Sequence, residues 1–173
     1  MRKSVFQPSA ESEVRLLLLI HAFSGKTRAL EGRTKLAKLD FLLRYPKFLE
    51  RALRIRNPEA LLKQEISEQG NDIDNRMIRF RYGPWDPSYF AVLGRLIGRG
   101  LIIPVPVPGG IGYKTSTQGE ALADKFADTE PWKPTAQCAR LLRRNFDLSG
   151  TALKEFIYRH FPEVSGANWG ERL

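Results

Sequence analysis

Pro87-Ser88-Tyr89-Phe90-Ala91-Val92-Leu93-Gly94-Arg95-Leu96-Ile97-Gly98-Arg99-Gly100, followed by Leu101-Ile102-Ile103-Pro104-Val105-Pro106-Val107-Pro108-Gly109-Gly110-Ile111-Gly112-Tyr113-Lys114-Thr115, is the stretch on which the fold turns. Its first half repeats apolar side chains at helical spacing. Phe90, Leu93, Leu96 and Ile97 are expected to face inward, Asp86 to cap the helix and Gly100 to lie past its end. In the second half the period changes. Leu101–Val105 and Ile111–Thr115 read as extended segments joined through Pro108-Gly109-Gly110, a hairpin. Pro104, Pro106 and Pro108 place that first arm at the edge of its sheet, where missing amide donors cost nothing. A helix followed at once by a glycine-tipped hairpin is the serial order of a winged helix-turn-helix. Pro87–Arg99 then stands where a recognition helix stands, with Gly109-Gly110 at the tip of the wing.

Working outward, Ser12–Phe23 is apolar around much of its circumference and belongs in the core, with Ser24-Gly25 as its stop. Leu36, Leu39 and Leu43 give the next helix, with Thr34, Lys35 and Lys38 expected toward solvent. Beyond Pro46, Phe48, Leu49, Ala52 and Leu53 form a buried stripe, and Lys47, Arg51 and Arg54 share the opposite face. Residues 57–77 form an insertion, a short helix over Pro58–Ile66 and then the acidic loop around Gln69-Gly70-Asn71-Asp72. Met77–Tyr82 alternates apolar and basic residues like a half-buried strand that Gly83-Pro84 breaks. After the hairpin, Thr117-Gln118-Gly119-Glu120 reads as a capping box. Two more helices follow, about Thr135–Asn145 and Gly150–Phe161, the second capped by Ser149. The expectation is a single mainly α (α+β) winged-helix domain over 1–173. It has N-terminal helices (12–56), a helical insertion (57–77), a strand, helix, two-stranded wing and following helix (78–127), and C-terminal helices (133–173).

Composition bounds the function. With 173 residues, 42% hydrophobic and 27% charged, and a mean hydropathy of −0.34, the chain reads as a soluble globular protein, not a collagen-like, disordered or membrane-spanning one. Met1-Arg2-Lys3-Ser4 is charged but no apolar leader core follows before Glu11 and Glu13, so a cytoplasmic location is expected. Cys138 is the sole cysteine and there are two histidines, too few for a disulfide or a standard zinc site. The net charge of +9 favours a polyanionic partner. Between Lys26 and Arg56 bases far outnumber acids, whereas the following stretch to Asn75 is acidic.

The helix in the recognition position is poorly equipped to read bases. Its first turns carry Ser88, Tyr89 and Phe90, and its cations Arg95 and Arg99 come late. Gly94 and Gly98, four apart, allow close approach of another backbone, from a partner or from within the chain. Sequence-independent contact with duplex DNA is therefore assigned to Lys35, Lys38, Lys47, Arg51, Arg54, Arg79, Arg81, Arg95, Arg99 and Lys114. Arg79 and Arg81, beside Tyr82 and Trp85, suit phosphate binding and stacking, or an ordinary buried corner with outward arginines.

Other patterns fail on context. Gly25-Lys26-Thr27 resembles the end of a P-loop, but Ile20 stands where a glycine is needed and the helix precedes the loop. Gly109-Gly110-Ile111-Gly112 lacks the helix of a dinucleotide site. His21, His160 and Cys138 make no catalytic set, and Glu65, Glu68, Asp72 and Asp74 match no calcium loop. No catalytic residue, metal, cofactor or small-molecule substrate is expected.

Gly32-Arg33-Thr34-Lys35-Leu36-Ala37-Lys38-Leu39-Asp40-Phe41-Leu42-Leu43-Arg44-Tyr45-Pro46, Arg79-Phe80-Arg81-Tyr82-Gly83-Pro84-Trp85-Asp86 and Leu148-Ser149-Gly150-Thr151-Ala152-Leu153-Lys154-Glu155-Phe156-Ile157 resemble bacterial middle-component proteins. These are encoded beside an SMC-like ABC ATPase and an effector in three-component antiphage systems of the Lamassu kind. The resemblance implies a non-enzymatic winged-helix subunit that docks on the ATPase and helps a DNA-sensing complex assemble. A sequence-specific transcription regulator is the alternative. A nuclease built on Asp72 and Asp74 is a third reading.

Overall fold

Five consecutive apolar residues leave a helix no polar side to turn to water. Accordingly α1 (Ala10–Phe23) buries Leu16, Leu17, Leu18, Leu19, Ile20 and Phe23. Its start is fixed by a reciprocal cap in which the Ser12 amide donates to Ser9 Oγ at 3.2 Å and the Ser9 amide to Ser12 Oγ at 2.9 Å. In the computed structural model, which describes residues 9–62 and 88–166, this helix packs against four others and the sheet.

The chain continues through β1 (Leu30–Glu31), α2 (Arg33–Arg44), α3 (Pro46–Arg56) and α4 (Glu59–Leu62). It resumes with α5 (Ser88–Gly98), β2 (Ile102–Val107), β3 (Gly110–Thr115), α6 (Thr117–Ala127), α7 (Lys133–Asn145), α8 (Gly150–His160) and α9 (Pro162–Gly166). The expected strand Met77–Tyr82, the acidic loop and the end of the Pro58–Ile66 helix lie outside the described residues, as do Arg79, Arg81, Tyr82, Trp85, Asp86 and Pro87. The described part is mainly helical with one small antiparallel sheet. α1 contacts α2, α5, α6, α7 and β3, and α8 lies against α2.

The sheet has the order β1-β3-β2, so the expected two-stranded hairpin gains a third strand. Leu30 pairs with Tyr113 and Glu31 with Gly112. Two residues are too few to leave a periodic signal. In the hairpin itself Ile102 faces Thr115 and Val107 faces Gly110, and among the described residues β2 is the edge strand the prolines called for. Because backbone donors alternate along a strand, Pro104 and Pro106 both put their hydrogen-less nitrogens on the side away from β3.

The α5–β2 corner is locked by backbone geometry. The Gly100 amide donates to the Ile97 carbonyl and the Leu101 amide to the Leu96 carbonyl, each at 2.9 Å. With Gly100 at φ +71° this is a Schellman cap, a conformation glycine adopts without penalty. The capping box expected at Thr117 is not formed: the helix is capped one residue earlier by Ser116 alone, since its N3 residue, Gly119, has no side chain to reach back. Ser116 Oγ accepts from the Gly119 amide at 3.0 Å and donates to the Gly100 carbonyl at 2.5 Å. A Cβ on Gly119 would lie 1.8 Å from the Leu101 carbonyl oxygen, so only glycine lets α6 seat against this corner.

A buried polar junction joins three helices. Asp40 is wholly buried, accepting from Arg15 Nε at 2.7 Å and from the Tyr89 hydroxyl. Elsewhere Phe48 packs tilted against Phe41 and edge-to-face against Phe161, with centroids 5.0 and 5.4 Å apart, tying α2 and α3 to the α8–α9 turn.

Candidate functional site

On α5, Tyr89, Val92, Leu93 and Leu96 are buried. Phe90 and Ile97, expected to face inward, are instead 54% and 38% exposed. The reason is angular: with α1 and the sheet on one side, positions 90, 94 and 97 fall together on the other. Ala91, Gly94 and Gly98 continue that exposed strip. Among the described residues, a Cβ added at Gly94 or Gly98 meets nothing within 4 Å, so none of them packs closely against the glycine pair. The Arg33 guanidinium lies over the Phe90 ring, 4.6 Å from its centroid. One flank of the strip carries Arg95 and Arg99, which both reach Glu13 on α1, at 3.3 and 3.2 Å. One carboxylate thus offsets part of the charge of two arginines.

Lys35 and Lys38, expected toward solvent, are 5% and 2% exposed, which removes both from any surface a polyanion can reach. Their long stems fill the space between α2 and the C-terminal helices. Lys35 Nζ donates to Asp147 Oδ1 at 2.7 Å, and Lys38 lies 5.1 Å from the Tyr158 ring centroid. Periodicity suggested the opposite because it ranks side chains by their heads, and the packing uses the methylenes.

The α3 cations do share an exposed face, but two of them are engaged. Arg51 pairs with Glu163, donates to the His160 carbonyl at 2.5 Å and stacks 4.7 Å from the Phe161 centroid. Arg54 pairs with Glu50 at 2.5 Å one helical turn away. Lys47 is exposed and forms no ion pair among the described residues. Arg79 and Arg81 lie outside the described residues.

Lys114 is half-buried on β3, where it lines a cleft of about 630 Å³ between the sheet, the Lys26–Ala29 loop and the Asp147–Ser149 turn. Lys26 and Arg28 line the same cleft. The basic stretch beginning at Lys26 pointed to these two, but only the third strand, unforeseen, brings their loop beside Lys114.

Elsewhere, burial raises a tyrosine hydroxyl and the cysteine thiol. Burial, and secondarily the Asp40 charge, pushes the Tyr89 hydroxyl well above its ordinary value near 10, and burial pushes the Cys138 thiol up to about 11. His21 Nε2 lies 3.1 Å from Asp124 Oδ1. Among the described residues no three His, Cys, Asp or Glu side chains gather as a metal site, and no helix is long and apolar enough to cross a membrane. No protein-family model, curated protein or solved structure matches the chain.

Proposed function

We propose that this chain is a non-enzymatic winged-helix adaptor that docks through the outer face of α5 onto a protein partner, the SMC-like ATPase of a three-component bacterial defence complex. The element order supports the winged-helix reading: α1, β1, α2, then α5 running straight into the β2–β3 hairpin, with β1 closing the far edge of β3. The observation that carries the docking reading is the surface of α5 itself. Where a base-reading helix presents Arg, Asn or Gln, this one presents Phe90, Ala91, Gly94, Ile97 and Gly98. That strip offers apolar area and close backbone approach but no donors or acceptors matched to base edges. It disfavours the operator-reading alternative.

Contact with DNA, in this reading, is sequence-independent and secondary. The net charge of +9 attracts a duplex, while Glu13, Glu50 and Glu163 each engage cations that would otherwise meet phosphates.

The test is reconstitution with an SMC-like ABC ATPase drawn from the genes neighbouring this chain's own, read by co-elution in size-exclusion chromatography; the absence of such a gene also counts against the proposal. Ile97→Glu and Gly98→Glu, both on the exposed strip, are expected to abolish the complex with melting unchanged. An intact complex with both variants, or a footprint on one short operator, overturns the proposal.

A further inference from the structure

The cleft beside the sheet is walled by two different chemistries. One wall is cationic, with Lys26 and Arg28 from the α1–β1 loop and Lys114 from β3. The other is apolar, with Val105, Pro106 and Val107 from β2 and Leu148 ahead of α8. Counting Lys35, four cations line the space against two carboxylates, Glu31 and Asp147. Asp147 is already engaged at both oxygens, Oδ1 by Lys35 Nζ at 2.7 Å and Oδ2 by Arg143 Nη1 at 2.5 Å. It therefore neutralises none of the other three. Lys26, Arg28 and Lys114 form no ion pair among the described residues. They face the cleft with Glu31 as the remaining counter-charge.

The loop carrying two of these cations is held in place. The Gly25 amide donates to the Arg28 carbonyl at 3.1 Å and the Arg28 amide returns to the Gly25 carbonyl at 3.4 Å. The Thr115 amide of β3 donates to Ser24 Oγ at 3.0 Å, tying the loop to the strand that bears Lys114. Gly25-Lys26-Thr27 thus lies at a cation-lined cleft although its chain order, helix before loop, is not that of a P-loop.

We propose that this cleft binds a phosphorylated small molecule of mononucleotide size. Its phosphates lie against Lys26, Arg28 and Lys114, and its ring against the Val105–Val107 and Leu148 wall. Three cations on a fixed loop and strand, against the single carboxylate of Glu31, leave a net positive wall that suits a multiply charged anion. The apolar wall gives a planar ring the desolvated contact that inorganic phosphate lacks, and about 630 Å³ lies within the usual range for such ligands, roughly 300–1,000 Å³. The proposal does not rest on the adaptor reading, since among the described residues no part of α5 lines the cleft.

The test is calorimetric titration of the full chain with adenosine 5′-diphosphate, adenosine and inorganic phosphate. ADP is expected to bind at least tenfold more tightly than either control. Arg28→Gln combined with Lys114→Gln is expected to weaken ADP at least tenfold without lowering the melting temperature, as neither side chain holds an ion pair among the described residues. Equal affinity for ADP and adenosine, equal affinity for ADP and phosphate, or ADP binding indifferent to the double substitution overturns it. So does binding of a blunt duplex through the same cations with no binding of ADP. Loss of the α5-mediated complex leaves these outcomes unaffected, so the two proposals fail separately.

Discussion

The Tyr89 hydroxyl donates to the carboxylate of Asp40 at the point where α1, α2 and α5 meet, and Arg15 closes the junction from the other side at 2.7 Å. It fixes the helix whose outer face is proposed to dock, because Tyr89 sits in the first turn of α5 beside Phe90.

That junction gives a pH dependence with a definite sign. Tyr89 titrates near 10 when unfolded and well above that when folded. Its contribution is therefore fully present below pH 10 and is lost as pH rises from 10 through the folded value. Tyr89→Phe is expected to cost about 1 kcal/mol at pH 7, and to flatten the alkaline fall in stability relative to the parent. Urea titrations of both proteins at pH 7 and above pH 10 check it; parallel curves would contradict the assignment.

Two glycines predict opposite outcomes. Gly119→Ala drives a methyl against the Leu101 carbonyl, 1.8 Å away, and is expected to cost about 3 kcal/mol, the upper end of overpacking. Gly94→Ala meets open space among the described residues and is expected to add about 0.8 kcal/mol from helix propensity alone. Thermal melts of the two variants measure the contrast.

Lys35 and Lys47 should separate stability from nucleic-acid retention. Lys35→Ala strips a packed stem and half the partners of Asp147, costing about 2 kcal/mol once the partial exposure of that carboxylate is allowed for. Lys47→Ala should leave stability within about 0.5 kcal/mol. If Lys47 meets a phosphate, it lowers the slope of duplex affinity against salt by roughly 1. Arg51→Glu is the poorer probe, since Arg51 also holds Glu163, the His160 carbonyl and the Phe161 ring.

Cys138 should resist alkylation. With its thiol raised to about 11, roughly one molecule in a thousand is thiolate at pH 8. Iodoacetamide labelling is expected on the order of a hundredfold slower than for an exposed cysteine, and to accelerate only in urea.

The helices and the hairpin were legible because each has its own period: the unbroken run Leu16–Ile20, the stripes of α2 and α3, and the proline-laced arm ending at Pro108-Gly109. β1 was not, since Leu30-Glu31 acquires its role only by meeting Tyr113 and Gly112, some eighty residues on. The candidate surface was read less well. Lys35 and Lys38 looked solvated because their charge dominates a one-residue judgement, yet their partners Asp147 and Tyr158 come from the far end of the chain. Phe90 and Ile97 looked buried because hydrophobicity says that a side chain prefers cover, not which neighbour supplies it. The late placement of Arg95 and Arg99, and the spacing of Gly94 and Gly98, were the local signs behind the docking role proposed for α5.

The proline-bearing margin of the sheet carries one last consequence. Among the described residues, Pro104 and Pro106 offer an incoming strand no amide donors along one border, and on the other β1 offers only two residues. Edge-to-edge pairing of two copies through these two borders is therefore disfavoured.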